Sequence, residues 1–195
     1  MKEQTEYKET LHIDILDASK RKIVSKMNAV AFIAIIVCSV IGVILNYALR
    51  MPGQSGGMYF VYILIGVPLC VLYIYLHEVM HVAAALIATG KKPDIKFGKL
   101  VASCGSPFIT YGKAGYFFVA SFPLLFFCAA LVPLCALLPP VFFPLPFIPL
   151  CYNVFGSMGD AYMIRRALSV KGKCLIVDSW TDVHVYLPNA AQSKK

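Results

Sequence analysis

Acidic side chains are scarce in this chain. Asp and Glu together number 10 in 195 residues, against 18 Lys and Arg, and charged residues make up only 14% of the total. Soluble domains carry about 25%, so the shortage excludes an ordinary solvated surface over most of the molecule. Histidine is rarer still, at four residues, too few for a multi-histidine oxidase site of the desaturase kind. The seven cysteines (Cys38, Cys70, Cys104, Cys128, Cys135, Cys151 and Cys174) never form a C-x-x-C pair and lie mostly in apolar segments. They read as buried thiols rather than a redox or zinc-ribbon motif. No internal repeat is present.

What the chain has instead is apolar mass: 59% hydrophobic residues and a mean hydropathy of +0.72, the composition of an integral membrane protein. A membrane span needs roughly 20 apolar residues. Three runs satisfy this, Met27 to Leu49, Met58 to Ala88 and Gly115 to Leu138, and a fourth from about Leu150 to Met163 suffices if it extends to Leu168. The expected fold is an all-α polytopic membrane protein with four transmembrane helices. Its divisions are an N-terminal tail (1–26), a membrane domain (27–168) and a C-terminal tail (169–195). The first run is longer than a signal-peptide core of about 7–15 residues and follows a polar stretch, so it is expected to be retained.

Basic residues set the expected orientation. Six Lys and Arg precede the first run, one (Arg50) separates runs one and two, five lie between Lys91 and Lys113, none separates runs three and four, and six follow from Arg165. Positive charge gathers on the cytoplasmic side, which puts both termini and the middle loop there. The formal charge of +8 then calls for no nucleic-acid partner. "LHIDIL", from Leu11, and "KCLIVDSWTDVHVYL", from Lys173, alternate with a period of two, which suggests strands from the two tails that pair. The loop between helices two and three carries Ile95, Phe97, Leu100, Phe108, Ile109 and Tyr111 among Gly and Lys, the pattern of a short cytoplasmic-side hairpin. "PPVFFPLPFIP", Pro139 to Pro149, is too rich in proline for a regular helix.

Within this apolar background stands "HEVMH", His77 to His81. On a helix the two histidines face the same way, their Cβ atoms roughly 5–6 Å apart, close enough to share one metal ion. Glu78 is rotated about 100° from His77 and about 60° from His81, flanking that face without competing for the ion. This is the arrangement in which two histidines bind zinc and the glutamate serves as general base. An acidic residue near the bilayer centre costs roughly 2.5–3.5 kcal/mol, so Glu78 there is a functional candidate. The bland alternative is a protonated Glu78 with both histidines hydrogen-bonded between helices.

A catalytic zinc takes a third protein ligand and keeps one position for water. The other acidic residues and the remaining histidines, His12 and His184, fall in tails or loops, which leaves Asp160 as the third ligand; its alternative role is a cap or an ion pair with Arg165 or Arg166. Helical rise sets His81 and Asp160 roughly 12 Å and 8 Å inside the same boundary. Asn153, in "NVFGSMGD", offers an amide either to a substrate carbonyl or to a neighbouring helix.

With "HEVMH", the "GKKPDIKFGK" loop, the proline of "SFPLLFF" and "NVFGSMGD", the chain resembles a zincin-type peptidase group of small bacterial membrane proteins related to site-2 intramembrane metalloproteases, over roughly residues 60 to 170. The resemblance implies an integral protein of the bacterial cell membrane that cuts membrane-embedded or membrane-adjacent peptides, with Zn2+ as cofactor. The rival reading is a metal-binding membrane scaffold without catalysis. Retention of a base argues against it, because a structural zinc takes four protein ligands.

Overall fold

The computed structural model describes residues 7–14, 56–97 and 102–188, with isolated positions between 29 and 40. The expected first span, Met27–Leu49, lies largely outside the described residues. The continuously described residues form six strands and four α-helices: β1 (Tyr7–Asp14), α1 (Gly56–Thr89), β2 (Asp94–Phe97), β3 (Ala102–Gly105), β4 (Thr110–Tyr111), α2 (Lys113–Leu137), α3 (Pro144–Gly156), α4 (Met158–Leu168), β5 (Leu175–Ser179) and β6 (Asp182–Pro188). The strands form an antiparallel four-stranded sheet in the order β1-β6-β5-β4 and a two-stranded hairpin, β2-β3.

The fold is therefore mixed α/β, and the all-α, four-span expectation is corrected. Among the described residues two helices are long and apolar enough to cross a membrane, Leu64–Thr89 within α1 and Lys113–Leu137. The expected fourth span is broken. Helix α3 stops at Gly156, Ser157 adopts φ −76° and ψ 4°, and a separate helix starts at Met158. Hydropathy counts apolar length and does not see that break. The proline-rich patch is also more helical than expected, since Pro144, Pro146 and Pro149 all lie in α3. The N–H groups of a first helical turn have no intrahelical acceptor, so Pro144 and Pro146 forfeit nothing there.

By packing, the chain divides into two compact units, one of Met1–Val24, Glu78–Phe122 and Gly159–Lys195, the other of Ser25–His77 and Pro123–Met158. In the first, period-two alternation turns Ile13, Ile176, Val183 and Val185 inward, all fully buried, with Ile13 opposite Val183 and Ile176 opposite Val185. Ala84, Ala85 and Ala167 complete that core from the helices; their small side chains let backbone approach closely. The expected pairing of the two terminal segments is thus observed. Helix α1 ends at Gly90, whose φ of +68° suits glycine and whose N–H reaches the Leu86 carbonyl at 2.8 Å. In the second unit the Tyr62 hydroxyl donates to the Val141 carbonyl, and Gly66 faces Ile148.

The hairpin β2-β3 is fastened to the β5-β6 turn. Trp180 in that turn has a φ of 64°, unusual for a residue with a side chain. Its indole N–H donates to the Asp94 carbonyl at 3.1 Å, and the Lys96 ammonium lies 3.1 Å from the ring centroid. The Ser106 N–H donates to the Asp178 carbonyl at 2.7 Å. This close approach requires Gly105, where a Cβ would overlap the Trp180 backbone nitrogen and lie 3.0 Å from the Asp178 oxygen. Gly105→Ala is expected to destabilise the protein by about 1–3 kcal/mol, the usual cost of overpacking. Gly115→Ala, where nothing lies within 4 Å, should be neutral or slightly stabilising within its helix. Thermal melts of the two variants side by side measure the difference.

Candidate metal centre

His77, Glu78 and His81 lie in the C-terminal half of α1 and are all buried, at 8%, 9% and 9% exposure. In the first unit, His81 Nδ1 lies 2.9 Å from the Val119 carbonyl of α2. A carbonyl only accepts, so Nδ1 donates, and in the neutral ring Nε2 is then the nitrogen with the lone pair. Why this carbonyl accepts a side chain is written four residues further on. Pro123 has no N–H, so the regular helical bond from residue 123 back to Val119 cannot form. His81 supplies the donor. Its Nε2 lies 3.6 Å from Oδ1 of Asp160, which sits in the first turn of α4, where the helix dipole favours a carboxylate. The structure thus brings together His81 and Asp160, two of the three residues read as ligands.

His77 lies one turn before His81 on the same helix, and the second unit fixes its ring by a longer route. The Asn153 amide donates from Nδ2 to the Leu124 carbonyl at 3.0 Å, which turns its Oδ1 toward Tyr73. The Tyr73 hydroxyl donates to that Oδ1 at 3.0 Å. With its one proton committed, the hydroxyl oxygen 2.8 Å from His77 Nδ1 must accept, and Nδ1 must donate. In its neutral form His77 therefore also has its lone pair on Nε2. Asn153 is fully buried and its amide is engaged between helices at both ends.

Both imidazoles thus have Nδ1 anchored by a hydrogen bond, which in the neutral ring leaves Nε2 free to coordinate, a pattern common to metal-binding histidines. Two imidazoles and a carboxylate form a donor set that suits zinc. The residues fit the ion.

Sequence reasoning missed Tyr73 and Asp178, and singled out Pro123 without its effect on His81. Asp178, assigned to a tail, is drawn into the first unit by the pairing of β5, where its carboxylate accepts from the Trp180 N–H and the Tyr116 hydroxyl. Burial raises its pKa to about 7; His81 and the Trp180 N–H pull it down, while Asp160 and Glu78 push it up. The one available signal was a carboxylate directly after the apolar run "CLIV". Burial also lifts the Cys104 thiol well above its usual range, helped by the charges of Glu78, Asp178 and Asp94. A thiol held protonated is a poor nucleophile.

Two measurements follow from these contacts. Pro123→Ala restores the helical donor to Val119 and makes it compete with His81; zinc affinity should fall about 10-fold or more, while the melting temperature holds or rises. Pro133→Ala in the same helix should leave affinity unchanged. Asp178 has a folded pKa above the value of 3.8 for an unperturbed carboxyl, so the folded state binds the extra proton and stability falls as pH rises from about 4 to 7. Asp178→Asn should lack this decline in melts recorded across that range.

No curated protein and no solved structure matches the chain. A protein-family comparison matches residues 70–175 to the family described as "Putative zincin peptidase". That interval exceeds half of the 195 residues and contains the HEVMH motif, Pro123, Asn153 and Asp160. Zinc is the cofactor that such membership implies. With a match over more than half of its length, the chain belongs to this family of zincin-type peptidases.

Proposed function

We propose that the protein is an intramembrane zinc endopeptidase, related to site-2 proteases, that hydrolyses peptide bonds of membrane-embedded or membrane-adjacent substrates. In this reading His77, His81 and Asp160 hold the zinc and Glu78 is the general base. The observation that carries it is the fixing of both histidines through Nδ1, by the Val119 carbonyl and by the Tyr73–Asn153 pair. Hydrogen bonds of that kind orient a ring toward an ion, whereas histidines that merely bridge helices have no need to present the same nitrogen.

Bound zinc supplies polarisation of the scissile carbonyl and acidification of water. The protein's own groups do the rest. Glu78, beside the ligand face, takes a proton from water as its oxygen attacks the carbonyl carbon, and returns that proton to the amide nitrogen as the C–N bond breaks. Burial of Glu78 keeps bulk water from competing for the proton. Asn153 and Tyr73 act as positioning residues for His77.

A membrane setting is supported by what the long helices expose. Leu64, Val71, Leu72 and Ile87 of α1 and Leu125, Val132 and Leu137 of α2 are at least half exposed. A soluble core helix would hide such side chains. Pairing of β1 with β6 keeps the two terminal strands on one side, in accord with cytoplasmic termini inferred from the basic residues. A helical substrate must unwind to expose its carbonyl.

Glu78→Gln tests the mechanism. The amide keeps the size and polarity but takes no proton, so zinc content should be unchanged while cleavage of a membrane-anchored reporter falls about 100-fold or more. A metal-loaded Glu78→Gln protein that cleaves at the wild-type rate would refute the assignment. A wild-type protein that binds zinc and cleaves nothing would favour the non-catalytic scaffold.

A further inference from the structure

A second group of imidazoles and carboxylates lies on the four-stranded sheet. His12 on β1 and His184 on β6 stand opposite one another in register, so their side chains leave the same face. The rings stack with centroids 4.4 Å apart and planes 10° from parallel. Two strand neighbours join them: Glu9 Oε1 lies 3.0 Å from His184 Nδ1, and Asp182 Oδ1 lies 3.4 Å from His12 Nε2. One ligand atom from each of Glu9, His12 and His184 lies within 4.8 Å of the others.

These spacings are close to those of a coordination shell. Donors held at about 2.0–2.2 Å around a tetrahedral ion lie roughly 3.3–3.6 Å apart along each edge. The two N···O separations sit close to that value. All four side chains are partly open to solvent, from 24% for His184 to 50% for His12, so an ion has a path in and small rotations close the shell.

We propose that Glu9, His12 and His184, with Asp182 beside His12, form a second metal site for a divalent transition ion of borderline softness, with zinc as the probe. Two imidazoles select for such an ion over magnesium or calcium, which take oxygen shells. The site has a structural consequence. Among the described residues strand β1 is at the edge of its sheet and pairs there with β6 alone, yet it delivers Ile13, fully buried, into the core of the first unit. An ion bridging His12 and His184 clamps this strand in place. Metal availability thereby sets how firmly the N-terminal strand seals the unit that contains Glu78, His81 and Asp160.

The test uses full-length protein in detergent, stripped with a chelator, dialysed against zinc and assayed for metal content. Wild type is expected to hold about two zinc ions per chain, and the exposed double variant His12→Gln/His184→Gln about one. Glu9→Gln, which leaves both rings intact, should bind the second ion at least about tenfold more weakly. Zinc should raise the melting temperature of wild type more than that of the double variant, and magnesium at the same concentration should not replace it. Zinc content unchanged by the double substitution overturns the proposal. About one ion in both proteins also overturns it and leaves the peptidase centre standing. A single wild-type ion that disappears with His12 and His184 upholds the sheet site and refutes zinc binding at His77, His81 and Asp160.

Discussion

Which nitrogen of each histidine bears the proton governs the rest of the site. An imidazole coordinates a metal only through a nitrogen with a lone pair, and in a dry interior that choice is made by whatever lies against the other nitrogen. Here it is made twice and by different means. For His81 the partner is a main-chain carbonyl released by a proline four residues later. For His77 it is a tyrosine whose single proton is directed elsewhere by an asparagine, itself oriented by the Leu124 carbonyl. Helices α1, α2 and α3 each contribute to these arrangements, so helix packing and ring orientation are one problem.

The helices carry this chemistry and the sheet supplies what they lack. Helices α1 and α2 are apolar on their outward faces and bring few polar groups of their own. Strands β1, β4, β5 and β6 build a core with valine and isoleucine and carry Asp178 into the same compact unit as Glu78, His81 and Asp160. A carboxylate whose pKa lies near neutrality within that unit makes its stability sensitive to pH on the acid side of neutral.

The parts legible in the sequence were those whose signals are local. His77 and His81 announce themselves by a spacing of four, Asp160 by being the sole other carboxylate in an apolar helix-forming run, and β1 and β6 by alternation. Helices α1 and α2 were visible as long apolar runs. The four-span count failed because hydropathy averages over Gly156–Gly159, where two glycines and a serine let the chain break. Asp178 was hidden because its place depends on β5 pairing with β4 across a long stretch of chain. Pro123 was visible as a residue but not as a cause: that a missing N–H on α2 would orient a ring on α1 follows only once the helices are side by side.

Trp180 is the chain's single tryptophan, and it is held at the point where hairpin β2-β3 meets the β5-β6 turn, with a cation over its ring and its N–H on a carbonyl. The molecule therefore carries an optical reporter of its own. Indole emission responds to a nearby ammonium and to the loss of a hydrogen bond, so the colour and intensity of one fluorophore register whether the hairpin is seated, without any label being attached.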